Sequence, residues 1–235
     1  MADTSFLDWP FLELKHTALH ADLEAWASDN IRHVDHDNTD QTCQALVAAL
    51  GAAGILKHTG VNATFPQIDV RSLCLIRETL ARHDGMADFA FAMQGLGTMA
   101  ISLFGNDTQK ADWLPKVQSG AALSAFALSE PQSGSDVANL QLSARRDGNG
   151  YVLNGEKTWI SNGGIADVYT VFARTGEAPG GRGISAFIVP ADTPGLQIAE
   201  RLETVSPHPL ARLVFADLHL TADAMIGDPG TGFKV

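Results

Sequence analysis

The middle of the chain contains the segment FALSEPQSGSD at residues 126–136, and the segment GEKTWISN follows at residues 155–162. The first segment is typical of a strand that ends at Glu130-Pro131 and enters a loop. Its Ser133-Gly134-Ser135 tripeptide offers hydroxyl and backbone N–H groups with little side-chain bulk, so donors can approach a ligand closely. This loop therefore favours the binding of a polyanionic group.

The second segment carries an aromatic ring at Trp159 and a hydroxyl at Ser161. Side chains two residues apart on a strand point to the same face. Alone, Trp159 is typical of a core aromatic and Ser161 of a strand end. A flat apolar surface beside a hydrogen-bond donor is, however, what an isoalloxazine ring needs for stacking and for a contact near its reactive nitrogen. The two segments together favour a flavin site.

The spacing of apolar residues changes near residue 120. From about Pro10 to Gly120 they recur at helical spacing, as in the stripe of Cys43, Leu46, Val47 and Leu50. From Ala121 onward the period approaches two, and turn residues arrive at regular intervals. The pattern predicts an α+β chain with an all-helical domain over residues 1–120 and a small β-barrel or sandwich over residues 121–235.

Several segments give specific expectations for secondary structure. A stripe of Met93, Leu96, Ala100 and Leu103 predicts a helix that stops before Gly105. Residues 151–160 fit a β-hairpin with Asn154-Gly155 as a type I′ turn. Apolar runs at residues 168–173 and 184–189, bounded by Gly and Pro, fit further strands.

Composition excludes some classes of function. The 235-residue chain has a formal net charge of −11, whereas attraction to nucleic acid needs an excess of Lys and Arg. No apolar run approaches the ~18 residues that cross a bilayer, and the first residues lack the features of a signal peptide. The two cysteines, Cys43 and Cys74, have no paired spacing. A reduced, cytoplasmic protein is the simplest interpretation.

Four short patterns resemble known sites but lack the required context. Residues 95–100 match the letters of a dinucleotide fingerprint, yet they interrupt a helical stripe. Residues 227–234 resemble a phosphate loop, but a phenylalanine precedes the lysine. The acidic residues from Asp35 to Asp40 hint at a calcium loop, whose sixth position here is not Gly. His16 and His20 have metal-ligand spacing without an intervening glutamate. No metal site is expected.

The two segments closely resemble the acyl-CoA dehydrogenase family, whose middle domain carries a Ser/Thr-Glu-Pro-x-x-Gly-Ser-Asp loop and an Asn-Gly-x-Lys-x-Trp-Ile-Thr/Ser strand. The similarity covers residues 90–235 well and the earlier helices by texture. It implies FAD as the cofactor, an acyl-CoA thioester as the substrate and α,β-desaturation as the reaction. It also implies that electrons pass to an electron-transferring flavoprotein, and that the complete enzyme is a homo- or hetero-oligomer.

The resemblance assigns cofactor contacts to nine residues, namely Phe126, Ala127, Leu128, Ser129, Gly134, Ser135, Trp159, Ile160 and Ser161. Leu128 and Ser129 would lie near the pyrimidine edge of the flavin. Gly134 and Ser135 would meet the pyrophosphate, and Ser135 would also approach the acyl-CoA.

In the same arrangement Trp159 would cover the ring system. Ser161 would hydrogen-bond near flavin N5, where the hydride arrives in the family's reaction.

The family's reaction also needs a base, a glutamate that removes the α proton of the thioester. In the family this glutamate lies in a third, helical domain, so the resemblance places the base beyond Val235 and no catalytic residue within this chain. Glu130 is expected to support the loop turn, Glu156 to lie at a solvated hairpin tip, and Asp136 to bond local N–H groups. The chain alone is therefore expected to be inactive.

Two alternatives stay open. One is a non-catalytic flavin- or acyl-CoA-binding subunit of a split enzyme. The other is a relative that uses the scaffold differently, as acyl-CoA oxidases and nitroalkane oxidases do. Departures from the family pattern at Asn139, residues 61–71 and residues 206–210 leave loop packing, the substrate-side wall and chain-length preference unassigned.

Overall fold

The computed structural model describes residues 3–235, in which a helical half precedes a sheet. Asp69, Asp84 and Asn106 begin the last three helices, because each side chain accepts a hydrogen bond from a first-turn backbone N–H. The helices are α1 (Leu14–Asn30), α2 (Thr39–Ala52), α3 (Val70–His83), α4 (Gly85–Phe104) and α5 (Asp107–Gln118).

The second half is one open sheet with the strand order β6-β7-β3-β2-β4-β5-β8, and β1 pairs in parallel with β4 beside this path. The strands are β1 (Ser124–Ala127), β2 (Ser143–Asp147), β3 (Gly150–Ser161), β4 (Val168–Arg174), β5 (Ile184–Pro190), β6 (Leu196–Arg201), β7 (Leu210–Thr221) and β8 (Met225–Ile226). The predicted order of a helical region followed by a β region is confirmed. Within residues 3–235 β6 and β8 do not pair, so the sheet is not closed into a barrel.

The predicted hairpin over residues 151–160 is wrong, because these residues belong to the single strand β3. Strand β7 pairs with β3 on both sides of Gly155, so the chain does not reverse there. Gly155 has a φ of +142° beside a shift in register, which marks a bulge. The reversal lies at Gly148-Asn149, between β2 and β3.

The predicted burial of the apolar stripes is confirmed for α2 but only in part for α4. All four residues of the α2 stripe are buried, as predicted. The helix predicted to stop before Gly105 is confirmed as α4, but its predicted stripe is only partly buried, since Ala100 is 3%, Leu96 is 45% and Leu103 is 50% exposed. The buried face of α4 is made largely of small and polar residues, among them Ala90, Gln94, Gly97, Thr98 and Ser102. This helix therefore approaches its neighbours by backbone proximity more than by large side chains.

The close approach is between α4 and β1. The Gln94 side-chain oxygen accepts a hydrogen bond from the Ser124 backbone N–H at 3.0 Å, and the Gly97 carbonyl accepts one from the Thr170 hydroxyl at 2.7 Å. The length and mean hydropathy of α4, 20 residues and 1.2, would also suit a membrane span, but 50% of its apolar window is buried within the fold. The Gly-rich pattern at residues 95–100 thus belongs to a packed core helix.

Residues of the rejected metal and phosphate motifs form hydrogen bonds with other groups of the protein. His16 is fully buried, with Nε2 3.0 Å from an Asp69 carboxylate oxygen and Nδ1 accepting from the Glu13 backbone N–H at 2.9 Å. Nδ1 therefore caps the start of α1, and Nε2 ties it to the start of α3. In the loop at residues 227–234, the N–H groups of Gly230 and Gly232 donate to other protein atoms.

Replacing Gly97 with Ala tests the close approach of α4 to β1. A Cβ at this position would lie 2.4 Å from the Ser124 hydroxyl oxygen and 2.8 Å from the Ala125 nitrogen. We expect Gly97→Ala to lower the free energy of unfolding by about 1–3 kcal/mol through overpacking, measured by urea denaturation.

The matched control is Gly95→Ala on the same helix, where the nearest atom would lie at an ordinary 3.5 Å. This variant should be neutral or more stable by up to ~1 kcal/mol, since Ala is the better helix former. Equal stability of the two variants would contradict the proposed contact.

Candidate functional site

The loop that follows β1 is fastened by one buried carboxylate. Glu130 accepts hydrogen bonds from the backbone N–H groups of Gln141 at 2.6 Å and Leu142 at 2.9 Å. It also accepts from the Gln132 amide at 2.7 Å and from Lys157 Nζ at 2.8 Å. Four donors thus converge on one side chain. The expectation that Glu130 has a structural part in the turn agrees with these contacts.

The lysine that meets this carboxylate projects inward from β3. Lys157 Nζ is fully buried, and it donates a second hydrogen bond of 2.8 Å to the Leu128 carbonyl. Burial lowers the pKa of Lys157 to about 8, although the hydrogen bond from its ammonium to Glu130 acts in the opposite direction. The neighbouring Thr158 N–H donates to the Ser129 carbonyl at 2.9 Å. The two segments singled out in the sequence therefore lie side by side.

Side chains alternate along the end of β1. Ala127 is buried in the core of the β region, whereas Phe126 and Leu128 are half-buried on the opposite face. The Phe126 ring packs 5.0 Å from that of Phe172, centroid to centroid. Phe126 and Leu128 line an apolar cavity of about 220 Å³ together with residues that include Phe172 and Phe233. This face offers an apolar wall beside the loop.

The tip of the loop presents free donors to the surface. Glu130 and Ser133 exchange two backbone hydrogen bonds of 3.0 and 3.1 Å, and the buried Ser133 hydroxyl donates to the Asp136 carbonyl at 2.5 Å. Gly134 and Ser135 are exposed, and their backbone N–H groups have no acceptor among residues 3–235. A Cβ added at Gly134 would touch nothing within 4 Å. The tip can therefore receive a bulky acceptor group.

The tryptophan stands on a bulge of β3. Trp159 has a φ of +58° and its side chain is 58% exposed, a rare conformation for a bulky residue. The register between β3 and β7 shifts between Lys157 and Ile160. Ile160 is buried in the core, and Ser161 is half-buried. The bulge thus turns the indole outward, and such strain at a surface motivates a functional hypothesis.

The residue after β3 holds the bulge in place. Asn162 also has a positive φ of 60° and is fully buried. Its side-chain amide donates to the Ser124 carbonyl at 2.9 Å, and its oxygen lies 3.6 Å from the Cys43 sulfur, which donates to it. Burial raises the pKa of the Cys43 thiol to about 12. The end of β3 is therefore tied to both β1 and α2.

No role is predicted from the sequence for Lys157 or Asn162, although both hold the two segments of the site in place. The sequence gives no local signal for the burial of Lys157, because its neighbours in the strand are the polar residues Glu156 and Thr158. Asn162 follows the strand at a place where turn residues are common, so its buried contacts left no trace in the sequence pattern.

The other acids near the segments are occupied. Glu156 does not lie at a hairpin tip as expected, but within β3, where its carboxylate is 2.9 Å from an Arg212 nitrogen. The Asp136 carboxylate accepts a hydrogen bond from the side-chain amide of Asn139, so its partner is a side chain and not a loop N–H. The arrangement can therefore bind a flat, anionic molecule. The carboxylates of Glu156 and Asp136, however, are already bonded to other side chains of the protein.

Two sequence models of one family match the chain. The model of the acyl-CoA dehydrogenase N-terminal domain matches residues 14–121, and that of the middle domain matches residues 125–218. Among curated relatives, a probable acyl-CoA dehydrogenase (fadE25) of Mycobacterium leprae is 36% identical over 225 residues, covering 94% of this chain and 58% of the relative. The short-chain specific acyl-CoA dehydrogenase of Megasphaera elsdenii is 39% identical over 171 residues, covering 71% and 45%. The chain thus spans about half the length of these relatives.

Solved structures agree with this match. An acyl-CoA dehydrogenase from Geobacillus kaustophilus superimposes with a TM-score of 0.83 at 30% identity, over 96% of this chain and 61% of the other. An FAD complex of an acyl-CoA dehydrogenase from Bacillus anthracis gives 0.81 at 29% identity, over 95% and 39%. A structure described as the electron transferring flavoprotein of Acidaminococcus fermentans gives 0.81 at 28% identity, over 96% and 61%.

Replacing Glu130 with Gln tests the anchoring of the loop. The variant leaves the buried Lys157 ammonium without its counter-charge and turns one amide N–H toward backbone donors. We expect a loss of about 3–5 kcal/mol in the free energy of unfolding, measured by urea denaturation.

Glu156→Gln is the matched control, because that carboxylate also pairs with a cation, Arg212 on the neighbouring strand β7, but is 40% exposed. Its loss should stay within ~1 kcal/mol. A comparable loss in both variants would show that the buried pair does not anchor the loop.

Proposed function

This chain belongs to the acyl-CoA dehydrogenase family, and from that premise we propose that its two adjacent segments form one side of an FAD site used for the α,β-desaturation of an acyl-CoA thioester. The observation that carries the proposal is the exposed Trp159, strained on its bulge and set beside a clamped loop with free N–H donors. A helical domain over residues 1–120 and a β domain over residues 121–235 are the units we assign to it.

The residues present fit FAD. The tip of the loop brings the N–H groups of Gly134 and Ser135 within reach of a pyrophosphate, and the open space at Gly134 lets such a group approach closely. These donors are uncharged, which explains how a chain of net charge −11 can hold an anion: short-range hydrogen bonds replace long-range attraction. The Trp159 indole would cover the ring system from its exposed position.

The proposed contacts differ in which atoms can make them. Phe126, Leu128 and Ser129 have side chains on the half-buried surface and can line the flavin. Ala127 and Ile160 have core side chains, so only their backbone groups are available to a ligand.

The remaining assigned residues contribute hydroxyl groups. Neither the Ser161 hydroxyl, proposed to bond near flavin N5, nor the Ser135 hydroxyl, proposed to approach the acyl-CoA as well, has a hydrogen-bond partner among residues 3–235. Both groups are therefore free to bond a ligand.

The proposed reaction needs one group from the cofactor and one from the protein. Bound FAD supplies the acceptor for the hydrogen that leaves the β carbon as hydride. Removal of the α proton needs a carboxylate that is free to take it. Glu130 is saturated by four donors, Glu156 is paired with Arg212, and Asp136 bonds Asn139. We propose that none of these three acts as the base.

Two functions other than that of a dehydrogenase are also proposed for the chain. The chain could serve as a flavin- or acyl-CoA-binding subunit of a split enzyme, or as an acyl-CoA oxidase-like relative. An electron-transferring flavoprotein as the electron acceptor is supported by one structural neighbour, the electron transferring flavoprotein of Acidaminococcus fermentans. A cytoplasmic location fits the absence of a disulfide between Cys43 and Cys74, and assembly into homo- or hetero-oligomers follows the family.

Trp159→Ala tests the flavin contact. Loss of the stacking surface should weaken FAD binding by about 1–3 kcal/mol, or roughly 5- to 150-fold in Kd, measured by quenching of FAD fluorescence. Trp9→Ala is the matched control, because Trp9 is 54% exposed in the N-terminal segment, outside the proposed site. Equal Kd values for the two variants would place the cofactor away from Trp159.

A second experiment tests the assignment of the base. The purified polypeptide of residues 1–235 is mixed anaerobically with FAD and a panel of acyl-CoA thioesters, and bleaching of the flavin absorbance is followed. We expect no rapid bleaching, because Glu130, Glu156 and Asp136 are each engaged by other groups of the protein. Rapid bleaching would refute the assignment, and Glu130, Glu156 and Asp136 would then be replaced one at a time to find the base.

A further inference from the structure

Lys157 makes one hydrogen bond that the ion pair with Glu130 does not require. Its Nζ lies 2.8 Å from the carbonyl oxygen of Leu128. The described peptide bonds are all trans, and in a trans peptide the C=O and N–H groups point in opposite directions. Because the Leu128 carbonyl points at a fully buried ammonium, the N–H of Ser129, which belongs to the same peptide, points away from that buried group.

The Ser129 N–H is therefore a donor that is free to bond a ligand. It has no acceptor among residues 3–235, and Ser129 itself is half-buried. The next peptide is fixed as well, since the Ser129 carbonyl accepts a hydrogen bond from the Thr158 N–H at 2.9 Å. Rotation of the Leu128–Ser129 peptide would break the bond to Lys157 and strain this second bond. The donor thus has one stable direction.

We propose that Lys157 is a positioning residue for the cofactor, which acts by holding the Leu128–Ser129 peptide so that the Ser129 N–H faces a pyrimidine carbonyl oxygen of FAD. The inference rests on the proposed FAD site and adds to it the group that sets this donor. A donor that is oriented before the ligand arrives costs no reorganisation on binding. The geometry explains why a buried cation is kept in a strand that could hold an aliphatic side chain.

The loop does not need Lys157 for its attachment alone. Glu130 already accepts hydrogen bonds from two backbone N–H groups and from the Gln132 amide. Loss of the ammonium would therefore weaken the loop without detaching it, whereas the Leu128 carbonyl has no other donor among residues 3–235. Stability and peptide orientation can consequently be separated by the choice of replacement.

The test compares Lys157→Met with Lys157→Gln. The two side chains have nearly the same length and both remove the charge, but only Gln can donate to the Leu128 carbonyl. Both variants should be less stable than the wild type without FAD, because both leave Glu130 without its cation. FAD binding, measured by fluorescence quenching, should be weaker in the Met variant than in the Gln variant by roughly 3- to 10-fold, the effect of one neutral hydrogen bond. The carbonyl ¹³C resonance of Leu128 should also move more in the Met variant.

The possible outcomes separate the two proposals. If the wild-type chain binds FAD and the two variants bind it equally, the role of Lys157 is refuted and the FAD site stands. If the wild-type chain does not bind FAD, the FAD site fails and the role of Lys157 fails with it.

If neither variant folds, hydrogen exchange of the ¹⁵N-labelled wild-type chain decides. Exchange of the Ser129 N–H should slow on addition of FAD, while that of the Thr158 N–H should be slow throughout. A Ser129 exchange rate that FAD leaves unchanged would overturn the inference.

Discussion

The buried ion pair between Glu130 and Lys157 is the interaction on which the rest of the site depends. Burying two charges is costly unless the geometry is good and every remaining donor and acceptor is satisfied. Here the carboxylate receives four donors and the ammonium reaches two acceptors. A displaced loop would leave a charge without partners in the protein interior. The pair therefore specifies one position for the loop, whatever its net contribution to stability.

A second polar connection links the site to the helices. The backbone of Ser124 at the start of β1 is held on both sides, its N–H by Gln94 on α4 and its carbonyl by the Asn162 amide. Asn162 in turn accepts a hydrogen bond from Cys43 on α2. Since Asn162 lies three residues after Trp159, close to its bulge, the direction of the indole is set partly by the helical half. The two halves act together in presenting one surface.

The sequence predicted the parts of the fold that depend on repeating patterns. The α2 stripe, the buried strands β4 and β5 and the change from helix to sheet near residue 120 all follow from the spacing of apolar residues. Prediction from the sequence failed where a single contact overrides the pattern of apolar residues. Asn154-Gly155 has the letters of a tight turn, but pairing with β7 on both sides keeps β3 continuous. Leu96 and Leu103 of α4 face outward, although Phe91 and Ile101 are buried, because the small residues of this helix are needed against β1. Lys157 and Asn162 were missed for a related reason, since their partners lie 27 and 38 residues earlier in the chain and no local spacing records such contacts.

The open sheet has a consequence for the behaviour of the protein in concentrated solution. Because the sheet does not close, the path from β6 to β8 has two end strands, and an unpaired edge is a template on which another chain can add a strand. One edge, β8, is only two residues long, too short to template an addition. The other, β6, carries Glu200 and Arg201, and Ala199 interrupts its regular pairing with β7. Charge, irregularity and brevity therefore disfavour edge-to-edge association at these two end strands.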